Sequence, residues 1–376
     1  MPKGAVNMII MRVKADNMLC FNNFDINMSY PKKIVNSPVA NEYLTERTNF
    51  RYKKVNILMG GNATGKTSLG RLLMMFMNYF KDGAQARFSD MITDYSKSAY
   101  LSVDFVTKDL RLFRFEFAAG PGKDNGYDDS NVDISIKSVR INKMDSYETC
   151  EERLDNNIKC KYETYNQIDT EGWNFTFPRD ITGNTPYALI GKSSRYLTVL
   201  EKVLKTLDPA IRGVDALKDV DNSFVIRFDN RDTIIQDGVI ANEAILSSGT
   251  KAGIDIAYII ASSICNMHDF YYCDEIFSFV NSDLEKACLS VIIEKLGDDR
   301  QLFYTTHNSD ILDMDLPKHS YTFLKKEVRE DSVDICCVYA SDYLKKAEDS
   351  MKNAVENDLF CIAPELNELY DLIDLD

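Results

Sequence analysis

The sequence predicts an α/β fold built around a largely parallel sheet, with antiparallel strands contributed by the first third of the chain. A compact apolar strand at Val55–Met59 precedes a glycine-rich turn and an amphipathic run at residues 68–80. Beyond residue 194, apolar strand candidates alternate with helical patterns, an order typical of a covered parallel sheet. Apolar and polar residues alternate at 99–105 and 110–117, which indicates a hairpin.

The other predicted elements follow the same patterns. They are, in chain order, paired strands between residues 6 and 28, strands at 132–141 and 173–177, a helix at 194–207, a helix at 253–267, a strand at 270–273, a helix at 284–296 and a strand at 302–305. We expect one head domain over residues 1–376. Residues 118–191 mix short strands with a loop rich in Gly, Asp and Asn, and we interpret them as an inserted lid. The chain between Lys66 and Leu246 holds no long heptad array, so no long coiled coil is expected.

The composition describes an ordinary globular chain with an acidic surface. The 376 residues are 45% hydrophobic and 27% charged, which suits a chain with a large buried core. The formal net charge is −14. A protein that mainly coats DNA is usually basic, because phosphate neutralisation supplies most of the non-specific affinity. Binding to nucleic acid is therefore possible but not indicated by the charge, and solubility is the simpler interpretation of the acidity.

The cysteines, the histidines and the N-terminal residues indicate the cellular compartment of the protein. The nine cysteines are scattered without a CxxC motif, and the three histidines are too few and too dispersed for a zinc site. Free thiols in a reducing cytosol are the simplest account. No apolar run is long enough to span a bilayer, and residues 1–12 lack the apolar core and cleavage site of a signal peptide. We therefore expect a cytoplasmic protein with no membrane partner.

Residues 60–67 spell a full G-x-x-x-x-G-K-[ST] phosphate-binding loop between a buried strand and a helix. Glycines let backbone N–H groups wrap the phosphates, and the helix N-terminus adds positive potential. We expect Lys66 to reach the β- and γ-phosphates and Thr67 to ligate Mg²⁺. The predicted nucleotide-contacting residues are Gly60, Gly61, Asn62, Ala63, Thr64, Gly65, Lys66, Thr67 and Ser68.

A second short motif raises the question of which nucleotide binds. Residues 142–145, Asn-Lys-Met-Asp, match the N-K-x-D element with which GTPases recognise guanine. A GTPase also needs a D-x-x-G switch between its phosphate loop and that element, whereas the nearby match at 180–183 comes after it. We therefore interpret 142–145 as a chance match, and the motifs of the second half favour ATP.

Two acidic residues end an apolar strand candidate in the second half of the chain. Residues 270–273, Phe-Tyr-Tyr-Cys, precede Asp274 and Glu275, which is the Walker B pattern. We expect Asp274 to hold Mg²⁺, directly or through water, and Glu275 to polarise the attacking water. An acidic pair at a strand end is often only solvated. The interpretation as a Walker B motif therefore depends on the neighbouring motifs.

Three further motifs flank this pair. Residues 246–251, Leu-Ser-Ser-Gly-Thr-Lys, open a helix and offer a serine hydroxyl and N–H groups as an anion site, although the same string suits a simple helix cap. Residues 281–283, Asn-Ser-Asp, follow the acidic pair. A buried strand candidate at 302–305 then leads to His307.

In this order the motifs resemble those of ABC ATPases, in the branch that contains SMC, RecF and OLD-type proteins. The string at 246–251 is similar to the L-S-G-G-Q signature, residues 281–283 to the D-loop and His307 to the switch histidine. The chain looks most like bacterial AAA/ABC-like ATPases of phage-defence and abortive-infection loci. Further similarities to this group lie at residues 21–24, 305–308 and 323–327.

The resemblance implies an ABC-ATPase head with an antiparallel β subdomain, and paired heads that enclose two ATP molecules with Mg²⁺. Ser247 and Gly249 of one subunit would cap the γ-phosphate held by the other. The implied catalytic residues are Lys66, Glu275 and His307, and the implied metal ligands are Thr67 and Asp274.

The sequence departs from this group in several places. Residues 117–191 match nothing in it. The Q-loop glutamine is not placed, because Gln85 lies close to the phosphate loop and Gln167 lies in the unmatched part. No adenine-stacking aromatic is assigned. The tail after His307 is short and lacks an acidic metal cluster, since Asp331 and Asp334 suit a hairpin, so no built-in nuclease is expected.

Two classes of function remain open from the sequence. In the first, a homodimer or higher oligomer closes on ATP as a sensor or scaffold that controls a protein effector, in anti-phage defence. In the second, the chain is a RecF-like DNA repair or maintenance ATPase. The acidity and the lack of a nuclease motif favour the first. A third alternative is that ATP binding is structural, with negligible turnover.

Overall fold

A computed structural model of the chain describes residues 8–82, 88–122, 131–162, 172–178, 194–217, 220, 223–236, 239–241, 246–328, 333–346, 348–363, 370 and 372. Its strands, numbered in chain order, are β1 (Ile9–Asp16), β2 (Phe24–Asn27), β3 (Tyr43–Leu44), β4 (Arg47–Arg51), β5 (Val55–Met59), β6 (Ala99–Thr107), β7 (Arg111–Ala119), β8 (Val132–Arg140), β9 (Lys161–Tyr162), β10 (Trp173–Thr176), β11 (Ile211–Ala216), β12 (Ser223–Phe228), β13 (Asp232–Gln236), β14 (Val239–Ile240), β15 (Phe270–Asp274), β16 (Gln301–Thr305), β17 (Tyr321–Val328) and β18 (Val333–Tyr339). Its helices are α1 (Lys66–Asp82), α2 (Tyr147–Asp155), α3 (Ser194–Leu207), α4 (Ser248–Ile264), α5 (Ser282–Lys295), α6 (Ala340–Tyr343) and α7 (Met351–Glu356).

A mostly parallel sheet of strand order β10-β15-β16-β5-β17-β18 forms the centre of the fold. The first five strands run parallel, and β18 returns antiparallel beside β17. Strands β5, β15 and β16 are buried along their whole length, as expected for parallel strands covered on both faces. Their carboxyl ends meet at one edge of the sheet, which is where ligands bind in open α/β sheets.

Helix α1 lies between this sheet and a second, antiparallel sheet of order β2-β1-β6-β7-β8-β9. On one side the Phe76 ring contacts the rings of Phe105 and Phe115, with centroids 5.3 and 5.4 Å away. On the other side Gly70 lets the helix approach the parallel sheet, since a Cβ there would lie 2.5 Å from Cε1 of Tyr272. The helix that follows the phosphate-binding loop is therefore fixed from both sides.

Helices α3, α4 and α5 cover the opposite face of the parallel sheet, together with a four-stranded antiparallel sheet of order β11-β12-β13-β14. Helix α4 is buried almost all round, and its sequence is accordingly mostly apolar, with Asp255 among its buried residues. Helix α2 packs on the outer face of the larger antiparallel sheet, where the Tyr147 hydroxyl donates to Asp104 at 2.8 Å.

The Gln301 side chain joins the two large sheets at the start of β16. Its Oε1 accepts from the N–H of Ile10 at 2.9 Å, and its Nε2 donates to the carbonyls of Ile10 and Lys53 at 3.0 and 3.1 Å. Strand β2 pairs with β1 only at residues 12–15, so this amide is the hydrogen-bonding neighbour of β1 at Ile10. Backbone groups that would otherwise be buried without partners are thereby satisfied.

The elements predicted from the sequence are confirmed in type and differ at their ends. The helix expected at 68–80 spans Lys66–Asp82, because the last residues of the loop already form its first turn. The helix expected at 253–267 begins at Ser248, since Ser247 is its N-cap. The alternating runs at 99–105 and 110–117 form the antiparallel pair β6-β7. No helix in the described part of the chain exceeds 17 residues, in agreement with the expected lack of a long coiled coil.

The segment 118–191, interpreted as a lid, is described in part. Strand β8 joins the antiparallel sheet beside β7, and β10 forms an edge of the parallel sheet beside β15. These strands are thus components of the two sheets. Residues 123–130, 163–171 and 179–191 lie outside the described residues. A lid role for this segment, and the assignment of residues 1–376 to a single head, stay predictions.

Candidate functional site

The glycine-rich loop leaves β5 and enters α1 through two glycines with positive φ. Gly60 has φ +152° and Gly65 has φ +93°. A Cβ at Gly60 would lie 2.3 Å from the carbonyl oxygen of Leu324, and one at Gly65 would lie 2.8 Å from Cε1 of Phe21. Both positions therefore need glycine for conformation and for space. Contacts with β17 and with the segment before β2 hold the loop in a fixed shape.

The other residues of the loop and of the first helical turn differ in their exposure to solvent. Asn62 and Ala63 form an exposed tip, and Ala63 adopts φ +56°. Thr64 is buried, and its Oγ1 donates to the carbonyl of Gly61 at 2.9 Å. Ser68 is half-buried in the first turn of α1. The loop thus forms a concave turn at a helix N-terminus, an arrangement that favours anions.

Lys66 lies at the centre of this turn and is 5% exposed. Its Nζ donates to the carbonyls of Gly60 and Gly61 at 3.0 and 3.2 Å and lies 3.5 Å from Oε1 of Glu275. Burial lowers the pKa of Lys66, whereas Glu275 and Asp274 act in the opposite direction. A lysine ammonium held by carbonyls inside an anion-binding turn suits a phosphate group.

Asp274 ends β15 and is fully buried. Its Oδ2 accepts from the Thr67 hydroxyl at 2.6 Å, and its Oδ1 accepts from the Thr305 hydroxyl at 2.7 Å. Burial raises the pKa of Asp274, against the effect of these two hydroxyls. Hydroxyl and carboxylate oxygens are ligands that Mg²⁺ prefers, so the Thr67–Asp274 pair fits the predicted metal site.

Glu275 follows in a left-handed conformation with φ +50°. Its N–H is held by the carbonyl and the Oγ1 of Thr305, at 3.2 and 3.0 Å. Its Oε1 lies 2.8 Å from Nε2 of His307, and both side chains are partly exposed, at 27% and 42%. A non-glycine residue in this region costs on the order of 1–3 kcal/mol and often marks a functional site. The turn takes the carboxylate away from the buried strand and towards His307.

Two members of this network are not among the residues predicted from the sequence. Thr305 contacts Asp274 and Glu275, and the hydroxyl of Tyr272 donates to the carbonyl of Lys66 at 2.5 Å. Both contacts depend on how the chain folds into the sheet. Thr305, for example, lies opposite Asp274 in the register of β15 and β16. Neither contact is visible before the order of the strands is known.

The signature-like segment lies at the start of α4. Ser247 is the N-cap, and its Oγ accepts from the N–H of Thr250 at 3.1 Å and contacts Oγ1 of Thr250 at 2.8 Å. The Thr250 hydroxyl also contacts Asp208 at 3.2 Å. These side chains therefore bond with one another and not with the phosphate-binding loop of the same chain. Gly249 has space around it, because a Cβ there would lie 3.9 Å from the carbonyl oxygen of Phe279.

A cleft of about 270 Å³ separates this segment from the loop before α5. Its lining includes Ser247, Gly249 and Phe279, and the Phe279 side chain is 68% exposed. Asn281 caps α5 by accepting from the N–H of Asp283 at 2.8 Å. The signature-like and D-loop-like segments therefore share one surface of the molecule.

The GTPase-like motif at 142–145 has local partners. Asp145 accepts from the N–H and the side-chain amide of Asn142, at 2.8 and 3.0 Å, and forms an ion pair with Arg153 of α2. A carboxylate used in this way stabilises the turn into α2, which supports the interpretation of the motif as a chance match. Gln85 and Gln167, weighed as Q-loop candidates, lie outside the described residues.

Comparison with solved structures finds this fold in SMC heads. An Smc head bound to the C-winged helix domain of ScpA has a TM-score of 0.51 at 14% identity, over 90% of this chain and 99% of that chain. An Smc head with an extended coiled coil, bound to the C-terminal domain of ScpA derived from Pyrococcus furiosus, has a TM-score of 0.51 at 12% identity, over 90% and 98%. The recombination mediator protein RecF has a TM-score of 0.43 at 12% identity, over 88% of this chain and 98% of that chain.

The likeness to the two Smc heads shows the class of fold. The chain has the mixed α/β fold of SMC head domains, as the sequence predicted. No protein-family model and no curated protein sequence matches the chain. Among the described residues, no helix combines the length and the apolar character needed to cross a membrane.

Proposed function

We propose that this protein binds ATP with Mg²⁺ at residues 60–68 and hydrolyses it. The observation that carries the proposal is the convergence of a phosphate-binding loop, a buried carboxylate and a strained, partly exposed Glu275 at one sheet edge. Such a site combines an anion cradle with a carboxylate beside it, which is what positioning and electrostatic stabilisation of phosphoryl transfer require.

The roles follow from the contacts of each side chain. Lys66 binds the β- and γ-phosphates, and Thr67 with Asp274 holds Mg²⁺, which when bound neutralises phosphate charge. Glu275 orients the attacking water and accepts its proton. His307, beside Glu275, contacts the γ-phosphate. The other loop residues bind through their backbone N–H groups.

The proposal places each site between two copies of the chain. Ser247 and Gly249 lie at a helix N-terminus whose described partners do not include the loop of their own chain. A helix N-terminus favours an anion, so this segment suits the γ-phosphate bound by the partner subunit. The protein would then act in the cytoplasm as a homodimer or higher oligomer that closes on ATP.

Replacement of Glu275 by glutamine tests this mechanism. Loss of the base should lower ATP turnover by about 100-fold or more, while phosphate binding persists, so that an ATP-bound dimer accumulates. Turnover and molar mass in solution, with and without ATP, are the measurements. The Lys66→Ala variant is the control and should neither bind ATP nor dimerise. Unchanged turnover and an unchanged mass in Glu275→Gln would contradict the proposal.

For the biological role we propose a sensor or scaffold that controls a protein effector in anti-phage defence. The formal net charge of −14 supports this role over a DNA-coating one. A RecF-like role in DNA maintenance is the alternative. It requires salt-dependent DNA binding and DNA-stimulated turnover, both measurable with duplex DNA at two ionic strengths. Either result would favour the alternative.

A further inference from the structure

Glu285 places a carboxylate in the interior of the protein, in the first turn of α5. The residue is 3% exposed. Its partners are three neutral donors: the Tyr304 hydroxyl, Oγ1 of Thr306 at 3.0 Å and Nδ2 of Asn308 at 2.7 Å. A buried carboxylate is costly unless hydrogen bonds compensate, so these donors fix both the glutamate and the chain that carries them.

The three donors to Glu285 alternate along the chain with two residues that face the acidic pair. Thr305 donates to Asp274 at 2.7 Å, and Nε2 of His307 lies 2.8 Å from Oε1 of Glu275. Side chains of an extended chain point alternately to opposite sides. Glu285 therefore holds one side of a segment whose other side forms the site.

The same segment is joined to the start of α5. Nδ2 of Asn308 donates to Oγ of Ser282 at 3.0 Å, and Ser282 in turn donates to Asp310 at 2.7 Å. Ser282 follows the N-cap Asn281, in the loop that shares a surface with Gly249. The loop and the chain around His307 are thus linked by side-chain hydrogen bonds.

We infer that Glu285 is a positioning residue, whose carboxylate keeps His307 in register with Glu275 and couples it to residues 281–283. The inference rests on the proposed function, in which Gly249 faces the partner subunit, because residues 279–281 line the same cleft as Gly249. A partner subunit bound at this cleft would contact the loop, and the hydrogen bonds of Asn308 with Ser282 and Glu285 connect that contact to the chain around His307.

The test compares Glu285→Gln with Glu294→Gln on the same helix, where Glu294 is 73% exposed. Glutamine keeps an acceptor for the two hydroxyls but turns a donor towards Asn308. The kcat of Glu285→Gln should fall about tenfold or more with KM for ATP within about twofold, because the loss is confined to positioning. In a His307→Ala background, Glu285→Gln should lower kcat no further, since it acts through His307. Glu294→Gln should behave as wild type.

A second readout needs no nucleotide. The chain has three histidines, so their imidazole resonances are easily resolved by NMR. Glu285→Gln should shift the His307 resonance and leave those of His268 and His319 in place. If wild type shows no turnover but this shift occurs, the proposed function fails and the positioning role stands.

Three results would overturn the positioning role. They are an unmoved His307 resonance, a raised KM with unchanged kcat, and additive losses in the double variant. If Glu285→Gln does not fold, Thr306→Val decides by the same measurements, because it removes one donor to Glu285, together with the acceptor of the Asn308 N–H, at nearly constant volume. The expected direction is the same and the effect smaller.

Discussion

Lys53 shows, at the scale of a single residue, what burial does to a charged side chain. It is 3% exposed, its Nζ donates to the carbonyl of Asn27 at 2.9 Å, and the same atom lies 3.7 Å from the ring centroid of Tyr339. Desolvation lowers the pKa of Lys53 from 10.5 to about 7. The ammonium is therefore less stable in the folded protein than in the unfolded chain, where lysine keeps its ordinary pKa.

This difference predicts a pH dependence of stability. Between pH 7 and about pH 10 the unfolded chain binds more protons at this lysine than the folded protein, so the free energy of unfolding rises with pH. We expect Lys53→Met to remove about 2 kcal/mol of the rise between pH 7 and pH 9. Urea unfolding at both pH values measures it. Lys32→Met changes an exposed lysine that lines a surface cavity together with Lys53, and it should keep the wild-type rise. Parallel curves for wild type and Lys53→Met would contradict the prediction.

At the scale of elements, the packing of two helical glycines predicts opposite effects of alanine substitution on stability. A Cβ at Gly70 in α1 would lie 2.5 Å from Tyr272, whereas one at Gly253 in α4 would lie 3.6 Å from Leu207, in ordinary contact. Alanine is the better helix former by about 1 kcal/mol. Gly253→Ala should therefore stabilise the protein by roughly 0.5–1 kcal/mol.

Gly70→Ala should have the opposite effect and lower the stability of the protein. The added methyl group must move α1 away from β15, and overpacking of this kind costs about 1–3 kcal/mol. Because α1 begins in the phosphate-binding loop, ATP affinity should fall as well. The midpoints of urea unfolding of the two variants provide matched measurements. Equal stability changes would show that the helix tolerates the methyl group by a local shift.

The sequence indicated the type of most elements because their patterns are local. Val55–Met59 is apolar except for Asn56, a pattern typical of a strand covered on both faces, and the glycines of residues 60–65 have a spacing tied to one backbone shape. The acidic pair and His307 could also be found, since Asp274 ends β15, Glu275 follows it directly and His307 lies two residues beyond β16. Contacts between residues that are distant in sequence could not be predicted in this way. Glu285 is one acid among many in the sequence, and only the packing of α5 against β16 shows that it is buried.

The partners of the strands in residues 118–191 are a feature that the sequence does not display. Periodicity predicts β8 and β10 as strands but gives no partner for either, and the interpretation of the whole segment as an inserted lid stays a prediction. Pairing of β8 with β7 and of β10 with β15 assigns them to two different sheets. Strand partners are chosen by contacts distant in sequence, which a single sequence does not display.

At the scale of the whole molecule, the proposal that each site is shared between two subunits predicts that two inactive variants restore each other. Lys66→Ala removes the phosphate ligand of one site, and Gly249→Asp places a negative charge where the partner's phosphate would lie. In a mixed pair one site carries both changes and the other carries neither. An equimolar mixture should therefore recover part of wild-type turnover, at most about half, since only mixed pairs are active and each has one intact site of two. Turnover of the mixture against each variant alone measures this, and no recovery would mean that each site is complete within one chain.

The amide of Gln301 has a mechanical consequence for such a pair. Strand β16 is pinned at its first residue to β1 and Lys53, and the chain beyond its last residue bears the histidine that faces Glu275. A strand held in this way resists sliding along its own axis. If the heads close on each other, the loops around the strand would then change conformation. Strand β16 itself would keep its position relative to β1.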